Sequence, residues 1–151
     1  MTAWRQQCGP QIQMPDILRF ARHIRRLHTK VGVVGYCWGG SPAFQLAARS
    51  EEDLVHCVSV AHPSSITKEE VDYLAVPTQI IAPEKDHLFP HEMKDYCNAK
   101  IPTLGIPYAY EWFPGVAHGF ATRGNVDDPD ERKAMWRAYN AVIRWCNDFL
   151  I

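Results

Sequence analysis

Short apolar runs alternate with amphipathic segments along the chain, and this alternation predicts an α/β fold. The apolar runs cover residues 31–35, 54–61, 76–82 and 107–113, and each has the length of a strand. The first run shows no polar alternation, which is typical of a strand buried on both faces of a parallel sheet. Strands that alternate with helices imply right-handed crossovers. We therefore predict a mainly parallel sheet of about four strands, flanked by helices.

Helical periodicity fills the gaps between the apolar runs. It predicts helices over residues 15–29, 41–48 and 90–100, and Thr67 with Glu70 forms a capping box that starts a short helix. Asp128 and Pro129 predict the start of a last, long helix. A stripe along that helix is predicted to pack in the core: Met135, Tyr139, Val142, Cys146 and Phe149. Four arginines of the first helix are predicted to form a solvated face: Arg19, Arg22, Arg25 and Arg26.

Composition and charge exclude several classes of protein. The 151 residues suit one domain, and with 46% hydrophobic residues, 22% charged residues and a net charge of −1 they offer no basic patch for nucleic acid. No apolar stretch approaches the length of a membrane span, and residues 1–10 do not have the pattern of a signal peptide. Five dispersed cysteines without a C-x-x-C pair argue against a disulfide scaffold and a zinc site. We predict a cytoplasmic protein without metal or cofactor.

Candidate chemistry begins at the turn Gly35-Tyr36-Cys37-Trp38-Gly39-Gly40, between the first apolar run and a predicted helix. A sharp strand-to-helix turn lifts the side chain at its apex above the sheet, and the residues two positions away must then be small. The N-terminus of the following helix favours a thiolate and an oxyanion. Cys37 is therefore a candidate nucleophile, although such a glycine-rich turn can also serve packing or cradle a phosphate.

A nucleophile needs a base and an acid that orients the base. Asp86 follows the third apolar run and His118 follows the fourth, in the order nucleophile, acid, histidine that an α/β-hydrolase requires. Glu84 competes with Asp86 for the role of acid, and His87 competes more weakly with His118 for the role of base. Each residue also has an ordinary interpretation as a turn, capping or loop residue.

These motifs resemble the dienelactone hydrolase family of the α/β-hydrolase superfamily. The resemblance rests on the Cys37 turn, the Asp86 loop and His118-Gly119-Phe120 with Arg123, and Ala61-His62-Pro63-Ser64 is similar to the fungal-type branch. It implies a carboxylic ester hydrolase that opens small ester or lactone substrates through an acyl-enzyme, with Cys37, His118 and Asp86 as catalytic triad. It further implies that the backbone N–H of Trp38 contributes to the oxyanion hole and that Arg123 holds a substrate carboxylate.

The sequence departs from the family before the Cys37 turn, where about 30 residues stand in place of several strands. We therefore interpret residues 1–151 as a single, partial domain, the C-terminal portion of an α/β-hydrolase fold. The first strand is then expected to lie at a sheet edge through which the chain could self-associate. The resemblance implies that the strands missing here carry the second oxyanion donor. Loss of one such donor costs about 100- to 1000-fold in rate, so weak or absent hydrolysis is expected.

Two other functions remain open at this stage. The chain could be a non-catalytic module derived from a hydrolase, which binds a partner through the exposed edge of its sheet. Alternatively, Cys37 could be a redox-sensing thiol, for which Cys57 would have to approach it in space.

Overall fold

The protein forms one four-stranded parallel sheet with helices on both faces. The structure, a computed structural model, describes residues 9–151, so the prediction about a signal peptide lies largely outside the described residues. The strands are β1 (Gly32–Tyr36), β2 (Cys57–Ala61), β3 (Thr78–Lys85) and β4 (Tyr108–Ala117). They lie in the order β1-β2-β3-β4, and every neighbouring pair is parallel. The predicted fold class is confirmed.

Helices precede, connect and follow the strands of the sheet. They are α1 (Pro10–Leu27), α2 (Gly40–Ala47), α3 (Lys68–Asp72), α4 (His91–Lys100), α5 (Phe120–Arg123) and α6 (Pro129–Leu150). The capping box of Thr67 and Glu70 starts α3, and the Asp128 carboxylate accepts hydrogen bonds from the backbone at the start of α6. The larger core joins β1–β3 to α1, α2 and α4, and a second core joins the sheet to α5 and α6.

Two predicted boundaries were wrong, and the second of them affects the site. The first helix begins at Pro10 rather than at residue 15, because a proline is compatible with the first turn of a helix. Strand β4 continues to Ala117 rather than ending at residue 113. Its pairing with β3 shifts between Pro83 and Lys85 and then resumes, with Lys85 opposite Ala117. The added length brings the end of β4 to His118.

The stripe predicted to form the core of α6 was right for Val142, which is buried, and for Cys146, which packs against the second core, but wrong for most of its other members. The residues of α6 that are buried lie one position away from most of it: Ala134, Ala138, Ala141, Val142 and Trp145. Tyr139 is 55% exposed, whereas Ala138 and Ala141 are 1% exposed. Alanines allow the helix axis to approach the sheet closely, so the bulkier side chains are displaced to its flanks. A search for large apolar residues at helical spacing misses such a face.

Strand β1 forms one edge of the described sheet. Val34 and Tyr36 are 37% and 38% exposed, in contrast with β2, whose five residues are all buried. The expected self-association through this edge stays a prediction. On α1, Arg22 and Arg25 form ion pairs with Glu52 and Asp53, consistent with the predicted solvated face. Among residues 9–151, no helix combines the length and apolar character needed to cross a bilayer.

Candidate active site

Cys37 stands at the apex of a sharp turn between β1 and α2. Its φ of 52° lies in the left-handed region, which is strained for a residue with a side chain. A single turn of 3-10 helix, Cys37–Gly39, joins the strand directly to α2. Cys37 is partly exposed. The local structure therefore matches the strained, projecting turn predicted from the glycine pattern.

Any larger residue at Gly35 or Gly40 would clash with its surroundings in this turn. A Cβ on Gly35 would lie 2.4 Å from the Gly39 carbonyl oxygen, and a Cβ on Gly40 would lie 2.6 Å from the Cβ of Pro63. A Cβ on Gly39, by contrast, would meet nothing within 4 Å. The prediction that both neighbours two positions from Cys37 must be small was right for Gly35 and wrong for Gly39.

Cys37, His118 and Asp86 form one continuous chain of polar contacts. The His118 Nε2 atom lies 3.0 Å from the Cys37 sulfur. The His118 Nδ1 atom lies 2.9 and 2.8 Å from the two carboxylate oxygens of Asp86. The side chain of Asp86 is fully buried, and that of His118 is 10% exposed. The geometry brings together the three residues predicted as nucleophile, base and acid.

The Asp86 carboxylate is held by its own turn. Its Oδ1 atom accepts backbone hydrogen bonds from Leu88 at 2.9 Å and Phe89 at 3.1 Å. The ammonium group of the buried Lys94 on α4 donates to the Pro83 carbonyl at 2.6 Å and so ties the end of β3 to α4. Burial lowers the pKa of Lys94, while the nearby Asp86 carboxylate opposes that shift. Nothing in the pattern of α4 marked this lysine, because an isolated helical lysine is ordinarily exposed.

The imidazole of His118 lies against a second, buried histidine. The ring centroids of His62 and His118 are 5.0 Å apart in an edge-to-face arrangement. His62 follows β2, is 0% exposed and also contacts the ring of Phe120. Neither ring nitrogen of His62 has a hydrogen-bond partner within residues 9–151. Burial, followed by the influence of His118, lowers the pKa of His62 to about 4, so it is uncharged at neutral pH.

The remaining predicted site residues lie at different distances from this centre. Trp38 follows Cys37 within the 3-10 turn, and its role as oxyanion donor stays a prediction. Arg123 is exposed, and its Nη2 would lie 3.1 Å from a Cβ on Gly119, the residue after His118. Glu84 accepts a 2.7 Å hydrogen bond from the Gly115 backbone, and His87 is exposed. Neither competitor is therefore part of the contact chain of Cys37.

The other described cysteines do not share the environment of Cys37. Burial raises the pKa of Cys57 and of Cys97 to about 12, and it also raises the pKa of Cys146. Cys57 opens β2 opposite Gly32, whereas Cys37 follows the far end of β1, which separates them by roughly 15 Å along the strands. The redox pairing of Cys37 with Cys57 was therefore wrong. Within residues 9–151, no group of three or more potential ligands could hold a metal ion.

The buried imidazole makes stability depend on pH, because His62 binds a proton more readily in the unfolded chain. Between about pH 6.5 and 4 the unfolded state binds more protons, so the free energy of unfolding falls as the pH is lowered. Over this pH range, we expect the free energy of unfolding of His62→Phe to fall by on the order of 2–3 kcal/mol less than that of the wild type. Urea unfolding at several pH values across this window measures it. His23→Phe, on an exposed position of α1, is the control, and equal pH slopes in wild type and His62→Phe would contradict the expectation.

The arrangement of strands and side chains defines the class of protein. A cysteine on a strand-to-helix turn of a parallel sheet, followed in the chain by a carboxylate and a histidine at later strand ends, matches the architecture of an α/β-hydrolase. Comparison with solved structures agrees. A candidate dienelactone hydrolase from Klebsiella pneumoniae superposes with a TM-score of 0.74 at 13% identity, over 90% of this chain and 60% of that one. The acylaminoacyl peptidase of Pyrococcus horikoshii superposes with a TM-score of 0.71 at 18% identity, over 91% and 27% of the two chains.

The chain belongs to the dienelactone hydrolase family, whose family model matches residues 7–150. Hydrolase tropI of Talaromyces stipitatus is 32% identical over 121 residues, which cover 80% of this chain and 46% of that protein. The carboxymethylenebutenolidase homolog of Mus musculus is 31% identical over 141 residues, which cover 91% and 56% of the two chains. The chain thus spans about half the length of the curated relatives it matches.

Proposed function

We propose that the protein hydrolyses ester or lactone bonds of small molecules, with Cys37 as nucleophile, His118 as base and Asp86 as orienting acid. One observation carries the proposal: the Cys37 sulfur lies 3.0 Å from His118 Nε2, whose other ring nitrogen lies 2.8 Å from Asp86. The family membership and the similarity to two relatives, one fungal and one mammalian, support the proposal.

The first half-reaction forms a thioester. His118 Nε2 takes the Cys37 proton, and the sulfur attacks the carbonyl carbon of the substrate to give a tetrahedral oxyanion. The Trp38 backbone N–H is the proposed donor to that oxyanion. When the oxyanion collapses, the C–O bond breaks, and His118 delivers its proton to the departing alkoxide. In a lactone this alkoxide remains attached to the acyl group.

The second half-reaction restores the enzyme. His118 removes a proton from water, the resulting hydroxide attacks the thioester, and the C–S bond breaks as the carboxylic acid leaves. The sulfur then regains a proton from His118. Asp86 orients and stabilises the imidazolium, since its carboxylate contacts Nδ1 and is anchored by two backbone N–H groups. The exposed guanidinium of Arg123, beside Gly119, is the proposed contact for a substrate carboxylate.

Replacing Cys37 with alanine is expected to abolish acylation by an aryl ester. Incubation of wild type with p-nitrophenyl acetate should add one acetyl group, detected as a mass increase of the intact protein and mapped to the peptide that contains Cys37. Cys37→Ala should release p-nitrophenolate at the rate of buffer alone, because no other described cysteine lies beside an imidazole and a carboxylate. This readout does not require turnover.

Cys146→Ser is the matched control, since it removes a partly exposed cysteine of α6 that lies outside the site. It should be acetylated like the wild type. Equal release of p-nitrophenolate by wild type and Cys37→Ala, with no acetyl group on the Cys37 peptide, would reject a catalytic Cys37.

A further inference from the structure

The turn after β2 contacts the nucleophile, although the proposed mechanism gives it no part. Ser64 is 3% exposed, and its hydroxyl oxygen lies 3.7 Å from the Cys37 sulfur. The backbone N–H of the same serine donates to the Cys37 carbonyl at 2.9 Å. Two links, one from the backbone and one from the side chain, therefore join Ser64 to the residue that carries the sulfur.

The position of the Ser64 hydroxyl is determined by packing on both sides of the turn. The His62 backbone N–H donates to the Ile81 carbonyl of β3 at 2.9 Å. Pro63 lies so close to Gly40 that a Cβ there would come within 2.6 Å of the Pro63 Cβ. His62 and Ser65 have φ values of 39° and 60°, which bend the chain sharply on either side of Ser64. The turn is thus clamped between β3 and the start of α2.

The hydrogen-bond pattern of the site indicates which atom donates. The Asp86 carboxylate at His118 Nδ1 keeps a proton on that nitrogen, so Nε2 of the neutral ring is an acceptor. The thiol proton of Cys37 is then directed to Nε2, and the sulfur can only accept from Ser64. After proton transfer the sulfur is an anion with two donors, His118 Nε2–H and Ser64 Oγ–H. A hydroxyl binds an anionic acceptor more strongly than a neutral thiol.

We infer that Ser64 is a positioning residue whose hydroxyl donates to the Cys37 sulfur and favours the thiolate over the thiol. The inference rests on the proposed function, because it concerns the reactivity of the same nucleophile. Among residues 9–151, the Ser64 hydroxyl has no hydrogen-bond acceptor other than this sulfur. The contact is long for a charged pair, so the expected contribution is that of an ordinary hydrogen bond rather than one to an ion, about 5- to 10-fold in the thiolate–thiol equilibrium.

The test measures alkylation of Cys37 by iodoacetamide in the full chain between pH 5 and 9.5, resolved by peptide mass spectrometry. Ser64→Ala should slow alkylation at pH 7 by about 5- to 10-fold and raise the pH of half-maximal rate by up to about one unit. The plateau rate at high pH should stay unchanged, since a fully formed thiolate no longer needs the donor. Ser64→Thr retains the hydroxyl and should behave like the wild type. Ser65→Gly removes the neighbouring exposed hydroxyl at a left-handed position and is the matched control.

Each outcome distinguishes this inference from the proposed function. A Ser64→Ala profile that superposes on the wild type would overturn the role of Ser64, while a wild-type rate that still depends on His118 would leave the nucleophile in place. A reduced plateau in both Ser64→Ala and Ser64→Thr, with lowered melting temperatures, would also overturn it by assigning Ser64 a purely structural role. A wild-type Cys37 that is indifferent to His118→Ala would reject the proposed function itself.

Discussion

Replacing His118 with alanine is expected to slow alkylation of Cys37 at pH 7 by about 10-fold. An ordinary cysteine is only about 3% thiolate at that pH, and an imidazole that accepts the thiol proton increases the fraction of reactive thiolate. In this protein the imidazole lies 3.0 Å from the sulfur and is backed by a buried carboxylate, which stabilises the charged ring. Loss of the ring removes the acceptor of the proton.

The rate of iodoacetamide incorporation at the Cys37 peptide measures this effect directly. Cys57 and Cys97 are buried and Cys146 is partly exposed, and the raised pKa values of all three keep them as thiols at pH 7, so they react little. His87→Ala is the control, because His87 is exposed and directly follows Asp86 without contacting the ring. A His118→Ala rate within about twofold of the wild-type rate would contradict the proposed pairing of the Cys37 sulfur with the His118 imidazole.

Replacing Gly35 with alanine is expected to destabilise the protein by roughly 3–5 kcal/mol, the range of severe packing defects. The new Cβ would lie 2.4 Å from the Gly39 carbonyl oxygen, 2.8 Å from the carbonyl carbon and 3.0 Å from the Cβ of Ala43. Two of these atoms belong to the backbone, which cannot move aside by a change of rotamer. Relief would require the start of α2 to separate from β1, and with it the turn that holds Cys37.

Chemical denaturation with urea measures the change, and Gly39→Ala provides the comparison. Gly39 has helical backbone angles and space around its Cα, so alanine there should leave stability unchanged or raise it by about 0.4–1 kcal/mol. The two glycines flank the same cysteine symmetrically in sequence. Equal free energies of unfolding for both variants would contradict the steric explanation of Gly35.

Sequence patterns were sufficient to predict the features that depend on local order. The alternation of strands and helices predicted the four parallel strands, and the turn chemistry predicted the capping of α3 and α6. The Cys37 turn and the strand ends before Asp86 and His118 could be located because parallel strands direct their C-terminal ends to one edge of the sheet. Polar residues that follow such strands therefore meet in space even when they are distant in the chain.

Features that depend on packing between elements were not predictable in the same way. The alanine face of α6 has no strong apolar signal in the sequence, because its side chains are small and it packs through close approach of the helix to the sheet. The sequence indicates that Lys94 is a surface residue, whereas in the structure it is buried and donates a hydrogen bond to the Pro83 carbonyl. Ser64 and His62 were visible only as part of a motif, since their contacts with Cys37 and His118 join three separate strand ends.

The length of β4 constrains the protein in a way that residue identity does not. Cys37 and His118 follow strands that lie three positions apart in the sheet, about 14 Å, yet their side chains touch. The end of β4, past residue 113, and the hydrogen bond from the His118 N–H to the Lys85 carbonyl carry the ring back across β3. Because side chains along a strand alternate between its faces, inserting or deleting one residue there would turn the imidazole to the opposite side. Evolution in this segment is therefore freer to exchange residues than to change their number.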